Sequence, residues 1–221
     1  MLKSAVILSG CGFLDGSEIH ESVLCLLSLS QKNINYQCFA PNENQTRVVN
    51  HFDNKESEQI RNVLQESARI SRSVIEPLES LVPESFDLLI LPGGFGVALN
   101  LSDFATKGHD CTINPFLEKI VLNFHEFKKP IVATCISPAI LGVIFKKKDI
   151  SLKLSLGNSP ALNKPLDAMG HQSCLAQGDQ VIYDDKNLIF STPCYMEDNS
   201  LAVIAKGIDL AITQAKNSFI H

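Results

Sequence analysis

Short apolar runs alternate with longer amphipathic segments along this chain of 221 residues. The apolar runs are typical of buried strands, and each gives way to turn-forming residues or to a cysteine. They comprise residues 4–10 (SAVILSG), 36–41 (YQCFAP), 86–91 (FDLLIL) and 131–134 (IVAT). Residues 181–192 (VIYDDKNLIFST) predict a hairpin that turns at Asp185, Lys186 and Asn187.

Between these runs, apolar residues recur at helical spacing. Residues 18–31 predict a helix whose broad buried face comprises Ile19, Val23, Leu26, Leu27 and Leu29. Residues 114–128 form the clearest amphipathic pattern, with Phe116, Leu117, Ile120, Val121, Phe124 and Phe127 on one face. Residues 57–70 predict a mostly polar helix, and Pro138 suits the first turn of a helix after residue 135. The last helix, near 198–216, is expected to bury Leu201, Ile204, Ala205, Ile208 and Ile212.

Strands that alternate with helices predict a mostly parallel sheet covered on both faces. Ligands of such sheets bind outside the carboxyl ends of the strands. The length suits one globular α/β domain spanning 1–221 with a sizeable core.

The composition is 45% hydrophobic and 19% charged, with a net charge of −5. This acidic balance argues against nucleic acid or an anionic membrane surface as the main partner. No apolar run approaches the length of a membrane span, and the N-terminus does not resemble a signal peptide. We therefore expect a cytoplasmic protein whose seven cysteines are reduced. The pairs His109/Cys111 and His171/Cys174 are too sparse for a zinc site, so no metal is expected.

Cys135 stands at the junction between a predicted strand and a predicted helix. A side chain there lies near free backbone N–H groups and the positive end of a helix dipole, a setting that lowers a thiol pKa. The alternative is a buried cysteine that acts as a small hydrophobe. This stretch alone leaves both interpretations open.

Three strand ends meet at one edge of the predicted sheet. The turns after strands 4–10, 86–91 and 131–134 present residues 12–21, the segment PGGFG (92–96) and Cys135. Glu18 and Glu21 are three residues apart at a helix start, so both can face one side. Glycines in the segment 92–96 allow backbone N–H groups to approach a ligand closely. A thiol, a carboxylate and exposed amides together can perform nucleophilic carbonyl chemistry.

The segments ILSGCGFLDGSEIHESV, LPGGFGVALNLSDFA, GHDCT, CISPAIL, TPCYM and GID closely resemble the ElbB proteins, named for isoprenoid biosynthesis or enhanced lycopene production. These are amidotransferase-like members of the PfpI superfamily, related to class I glutamine amidotransferases. The resemblance spans essentially the whole chain. It implies a flavodoxin-like three-layer α/β sandwich with a mostly parallel central sheet, and a homodimer.

The resemblance also implies a site. Cys135 would be the nucleophile on a sharp strand–helix turn, and a carboxylate of the first helix would contact it. We assign that carboxylate to Glu21, with Glu18 as the alternative. The backbone of Gly93, Gly94 and Ile136 would surround the oxyanion, with N–H groups donated by the last two.

The activity that the resemblance implies is a glyoxalase that converts glyoxal to glycolate without a cofactor. A protein deglycase is a further possibility. Hydrolytic relatives commonly place a histidine directly after the cysteine, whereas Ile136 stands here. His20 is expected to be structural or to form a pocket wall, so glutamine amidotransfer is not expected. A rival from another class is a non-catalytic, redox-responsive or regulatory binding protein, in which Cys11 could act as a resolving thiol.

Overall fold

A seven-stranded sheet forms the centre of the molecule. The computed structural model describes residues 1–219. The sheet order is β10-β11-β7-β6-β1-β2-β5, and every neighbouring pair is parallel except β10 and β11. The strands are β1 (Lys3–Ile7), β2 (Asn35–Ala40), β5 (Ile75–Pro77), β6 (Leu88–Leu91), β7 (Ile131–Thr134), β10 (Ile182–Asp184) and β11 (Ile189–Thr192). Two small sheets pair β3 (Val48–Asn50) with β4 (Lys55–Ser57) and β8 (Lys153–Gly157) with β9 (Gln172–Leu175).

Helices cover both faces of the central sheet. They are α1 (Ile19–Gln31), α2 (Val63–Ile70), α3 (Phe95–Leu99), α4 (Phe104–Lys107), α5 (Pro115–Glu126), α6 (Ser137–Lys146), α7 (Pro160–Ala168) and α8 (Leu201–Asn217). One core cluster joins the sheet to α5 and α6, and the other joins it to α1, α2 and α8. The predicted flavodoxin-like three-layer sandwich with a mostly parallel sheet is confirmed. The predicted hairpin at 181–192 is also confirmed, as β10 and β11.

The helix predicted over 57–70 is wrong in its first half. Residues 55–57 pair with β3 as a strand, and α2 begins only at Val63. The Asn62 side chain accepts a hydrogen bond from the backbone N–H of Gln65 at 3.0 Å. Asparagine is among the strongest N-cap residues, so this cap fixes the start of the helix.

The predicted buried face of α1 is also wrong in part. Ile19, Val23 and Leu27 are between 42% and 48% exposed and form a stripe on the outer surface. The helix instead buries small serines, whose hydroxyl groups form hydrogen bonds inside the protein. Ser22 donates to the carbonyl of Glu18 at 2.7 Å, and Ser28 donates to Asp209 of α8 at 2.8 Å.

Burial was also predicted wrongly for some residues of two other helices. The aromatic rings at both ends of α5 and the first residue of α8 are exposed. One alanine of α8 is only half-buried. All four residues were predicted to be buried. These residues are Phe116, Phe127, Leu201 and Ala205. Terminal turns extend past the sheet that covers the middle of each helix. None of the helices within residues 1–219 is long and apolar enough to cross a membrane.

Candidate active site

Cys135 occupies the sharp turn between β7 and α6, as predicted. Its backbone lies in the left-handed region with φ of 58°, which is uncommon for a residue other than glycine. The turn is held because the N–H of Cys135 donates to the carbonyl of Thr192 at 3.0 Å, and Pro138 occupies the first turn of α6. The thiol therefore lies beyond the carboxyl end of the sheet, beside the N-terminus of a helix.

The loops after β1 and β6 are joined next to this thiol by three backbone hydrogen bonds. The N–H groups of Glu18, Phe95 and Gly96 donate to the carbonyls of Gly93, Phe13 and Gly16 at 2.8–2.9 Å. Gly94 has φ of 104°, and a Cβ at this position would lie 2.3 Å from the nitrogen of Glu18. Only glycine satisfies both constraints, so Gly94 allows the close approach between these two loops, while the predicted approach of the PGGFG turn to a ligand stays a prediction.

Glu21 is completely buried in the first turn of α1 and reaches the same point. Its Oε2 accepts hydrogen bonds from the hydroxyl of Thr134 at 2.7 Å and from the N–H of Gly93 at 3.0 Å. Its Oε1 accepts from the N–H of Tyr195 at 3.3 Å. The carboxyl group is therefore held by hydrogen bonds from three other parts of the chain.

Burial, with a smaller contribution from the nearby charge of Glu18, raises the pKa of Glu21 to about 7, although its three hydrogen bonds oppose the shift. Desolvation disfavours the charged form of a carboxylic acid, which explains the direction. A carboxyl group with this pKa can both release and accept a proton near neutral pH.

The pKa of the Cys135 thiol is raised well above its ordinary value, first by burial and then by the charge of Glu21. Of the two interpretations of Cys135 that the sequence left open, the lowered thiol pKa does not hold in the resting site. The backbone N–H groups of Gly94 and Ile136 point at the sulfur and lower its pKa, but they do not outweigh desolvation. The resting pair is consequently a thiol beside a carboxyl group that can take its proton.

Gly93 lies between the two groups. A Cβ on this residue would lie 2.7 Å from Oε2 of Glu21 and 3.0 Å from Sγ of Cys135. Its N–H donates to Glu21 and to Oγ1 of Thr134, both at 3.0 Å. The absence of a side chain at Gly93 therefore allows Glu21 and Cys135 to lie close together, while the N–H groups of Gly94 and Ile136 are directed at the sulfur.

Replacing Gly93 with alanine should damage the site through steric overlap alone, because this residue lies outside the positive-φ region. We expect turnover to fall at least about tenfold and the free energy of unfolding to fall by about 1–3 kcal/mol, as for other overpacked sites. Urea denaturation and a turnover assay measure the two effects. Gly108→Ala is the control: it introduces strain at φ of 57° with nothing within 4 Å, so turnover should survive. Unchanged turnover in Gly93→Ala would contradict the geometry.

Glu18 and His20 flank the pair. Glu18 is the N-cap residue of α1, and its Oε2 accepts from the N–H of Glu21 at 2.6 Å. Glu18 therefore caps α1 and complements the positive end of the helix dipole. His20 is exposed, and its Nδ1 lies 2.9 Å from the Tyr195 hydroxyl. Within residues 1–219, His20 is the histidine that lines the cavity beside the thiol.

That cavity has a volume of about 770 Å³ and opens to the surface. It is lined by Phe13, Glu18, His20, Gly94, Phe95, Cys135, Ile136, Tyr195, Met196, Glu197 and Asp198. The sequence prediction missed the last four. In the structure β11 is parallel to β7, so its carboxyl end reaches the same edge as Cys135, but nothing in the sequence identifies β7 as its neighbour.

Other candidate residues lie elsewhere. Cys11 does not line the cavity; its charged neighbours are Glu66, Arg69, Asp15 and Arg61. His171 accepts from the N–H of Leu152 at 3.1 Å and lies 2.8 Å from the carbonyl of Gly142, a structural role. His125 contacts Asn187 at 3.0 Å. No three His, Cys, Asp or Glu side chains within residues 1–219 are grouped as metal ligands would be.

Comparisons with known proteins give close relatives, although no family model matches the chain. It is 37% identical to human "Glutamine amidotransferase-like class 1 domain-containing protein 3, mitochondrial", over 93% of this chain and 79% of that protein. It is 38% identical to rat "ES1 protein homolog, mitochondrial", over 93% and 80% respectively.

A crystal structure of an isoprenoid biosynthesis protein with an amidotransferase-like domain from Ehrlichia chaffeensis superimposes with a TM-score of 0.91. The two chains are 40% identical, and the match covers 98% of this chain and all of the other. The human and rat names place those proteins in mitochondria, whereas the cytoplasmic location of this chain stays a prediction.

Proposed function

Since the chain belongs to the family of glutamine amidotransferase-like class 1 domain proteins, we propose that it is a cofactor-independent glyoxalase that converts glyoxal to glycolate. The observation that carries the proposal is the buried pair of Cys135 and Glu21, in which Cys135 lines an open cavity and two backbone N–H groups are directed at its sulfur. This arrangement provides a nucleophile, a proton acceptor and an oxyanion site within one contact distance of each other.

The first step is attack of the Cys135 sulfur on one aldehyde carbon. Glu21 takes the thiol proton as the S–C bond forms, and the N–H groups of Gly94 and Ile136 stabilise the developing oxyanion. Glu21 then gives this proton to the oxygen, which completes the hemithioacetal and restores the carboxylate.

The second step moves hydrogen between the two carbons of the substrate. Glu21 removes the proton from the carbon bonded to sulfur and, through an enediol, returns one to the neighbouring carbon. The first carbon is thereby oxidised to a thioester and the second is reduced to an alcohol. Water then cleaves the thioester, which releases glycolate and restores the thiol. Electrons are redistributed only within the substrate, so the reaction needs no external oxidant or reductant.

Amide hydrolysis is disfavoured by the same geometry. A poor amine leaving group needs a general acid, a role that histidine commonly fills. His20 is exposed and bonded to Tyr195, while His125 and His171 contact groups outside the cavity. We therefore expect glycolate formation from glyoxal and no ammonia release from glutamine above background, in one preparation. Ammonia release that Cys135→Ser abolishes would contradict the proposal.

The raised pKa of Glu21 predicts the pH dependence of this reaction. Glu21 must be ionised to accept the thiol proton, so kcat/KM should rise with pH and level off above about 7. Glycolate formation measured from pH 5.5 to 8.5 tests this. A rate that stays flat down to pH 5.5 would exclude Glu21 as the base.

We further propose that this chain is an ElbB protein with a link to isoprenoid biosynthesis. Its quoted motifs and its likeness to the solved isoprenoid biosynthesis protein support this assignment. The homodimer implied by the ElbB resemblance remains a proposal, as does a deglycase activity.

A redox-responsive role is the second candidate, because Cys135 is 8% exposed at an open cavity where a small oxidant can reach it. An enzyme consumes glyoxal continuously, whereas a sensor is modified once and stops. Progress curves with excess glyoxal separate the two roles.

A further inference from the structure

The cavity above Cys135 is much larger than glyoxal needs. Its volume of about 770 Å³ lies in the range of sites that bind drug-sized ligands, roughly 300–1,000 Å³. Glyoxal has only four non-hydrogen atoms, so it would contact the floor and leave the walls unused. The walls therefore suit a molecule with a body attached to its reacting carbonyl group.

Two phenylalanine rings indicate the chemistry of that body. Phe13 and Phe95 line the cavity and are 52% and 44% exposed. Tyr195 and Met196 line it as well. Aromatic and thioether side chains bind flat apolar groups well. The cavity is consequently built to receive an apolar or aromatic group.

The charges around the cavity have one sign. Glu18, Glu197 and Asp198 line it, and within residues 1–219 it is lined by no lysine or arginine. Glu197 is held in place, because its Oε1 accepts from the N–H of Asn158 at 2.8 Å.

The guanidinium group of Arg47 lies 5.3 Å from the centre of the Phe95 ring but outside the lining. It donates to the carbonyl of Leu14 at 3.1 Å and approaches Glu56 at 3.5 Å. A carboxylate in the cavity would therefore face like charges with no cation beside it.

We propose that the substrate of this site is a carbonyl compound larger than glyoxal, with an apolar or aromatic body and no negative charge. Glu197 and Asp198 determine the charge selectivity. The inference rests on the proposed function only in taking the substrate to be a carbonyl compound, since the charge filter acts on any reagent that reaches Cys135.

Alkylation of Cys135 tests the charge filter without any turnover. Iodoacetamide is neutral and iodoacetate is negatively charged. The rate at which each reagent alkylates Cys135 is divided by the rate at which the same reagent alkylates glutathione, and this ratio is the normalised rate. We expect the normalised rate of iodoacetate to be at least tenfold lower. The double variant Glu197→Gln/Asp198→Asn should raise the iodoacetate rate severalfold and leave the iodoacetamide rate unchanged. Equal normalised rates in the unaltered protein would overturn the charge selectivity.

The double variant Glu126→Gln/Asp185→Asn is a matched control, because it removes two exposed negative charges that do not line the cavity. It should leave both alkylation rates unchanged. If it raises the iodoacetate rate as much as the cavity variant does, net charge and not the cavity sets the selectivity, and the proposal fails.

Turnover with three dicarbonyls tests the body of the substrate. We expect kcat/KM for phenylglyoxal to exceed that for glyoxal at least tenfold, and that for 4-carboxyphenylglyoxal to fall at least tenfold below phenylglyoxal. Glyoxal turned over as well as phenylglyoxal would overturn the size inference. If no dicarbonyl is turned over while the alkylation difference holds, the glyoxalase proposal fails and the charge filter stands.

Discussion

Replacing Cys135 with serine should lower glycolate formation by about 10³-fold or more, because the hydroxyl is a far weaker nucleophile and hemithioacetal formation is lost. The fold should persist, since serine is close to cysteine in volume and fits the same buried turn. Glyoxal consumption and glycolate formation are the measurements. Unfolding by urea, followed in parallel, shows whether the variant is folded.

Cys174→Ser is the matched control for this substitution. Cys174 lies in β9, is partly exposed and does not line the cavity, so its replacement should leave glycolate formation unchanged. Equal loss in both variants would point to a general effect of thiol removal. Full activity in Cys135→Ser would remove the nucleophile from the mechanism.

Replacing Glu21 with glutamine should lower turnover by about 10²-fold or more, within the usual range for a lost general acid–base group. Glutamine can still accept hydrogen bonds from Thr134 and Gly93, but it cannot take the thiol proton. The measurements are kcat and its pH profile, which should lose the rise toward pH 7. If Glu18→Gln is the damaging change and Glu21→Gln is silent, the assignment of the carboxylate is wrong.

A stability measurement separates this proton-transfer role from simple structural damage. The folded-state pKa of Glu21 is about 7 against an ordinary 4.5, so the folded protein binds more protons than the unfolded chain between these values. Stability of the unaltered protein should therefore fall as pH rises from 4.5 to 7, by up to about 3 kcal/mol for this group. The Glu21→Gln variant should lack this component, so the two stability curves should converge or cross as pH rises.

Much of the fold follows from local sequence patterns. The buried strands are short, mostly apolar runs, and the parallel order follows from their alternation with helices. Cys135 could be placed because Ile131–Thr134 ends without a turn residue and Pro138 starts a helix within three residues. The convergence of Glu21, Gly94 and Cys135 then follows from the rule that parallel strands end at one edge.

The predictions that were wrong concern properties that depend on contacts between distant parts of the chain. Whether Ile19, Val23 and Leu27 are buried depends on the rotation of α1, which Ser22 and Ser28 set through contacts that only the assembled fold provides. The pKa of Cys135 depends on desolvation, and the junction pattern reports only the helix dipole. Tyr195 to Asp198 were missed because the sequence pattern of the hairpin does not show which strand of the sheet lies beside its second strand.

The left-handed backbone at Cys135 makes the site vulnerable to selection for stability. A non-glycine residue in this conformation costs about 1–2 kcal/mol, which glycine would recover. In a library screened only for heat resistance, glycine at position 135 should therefore be enriched, although it deletes the nucleophile. Directed evolution of this scaffold thus requires an activity readout in every round, because the most robust descendants would be inert.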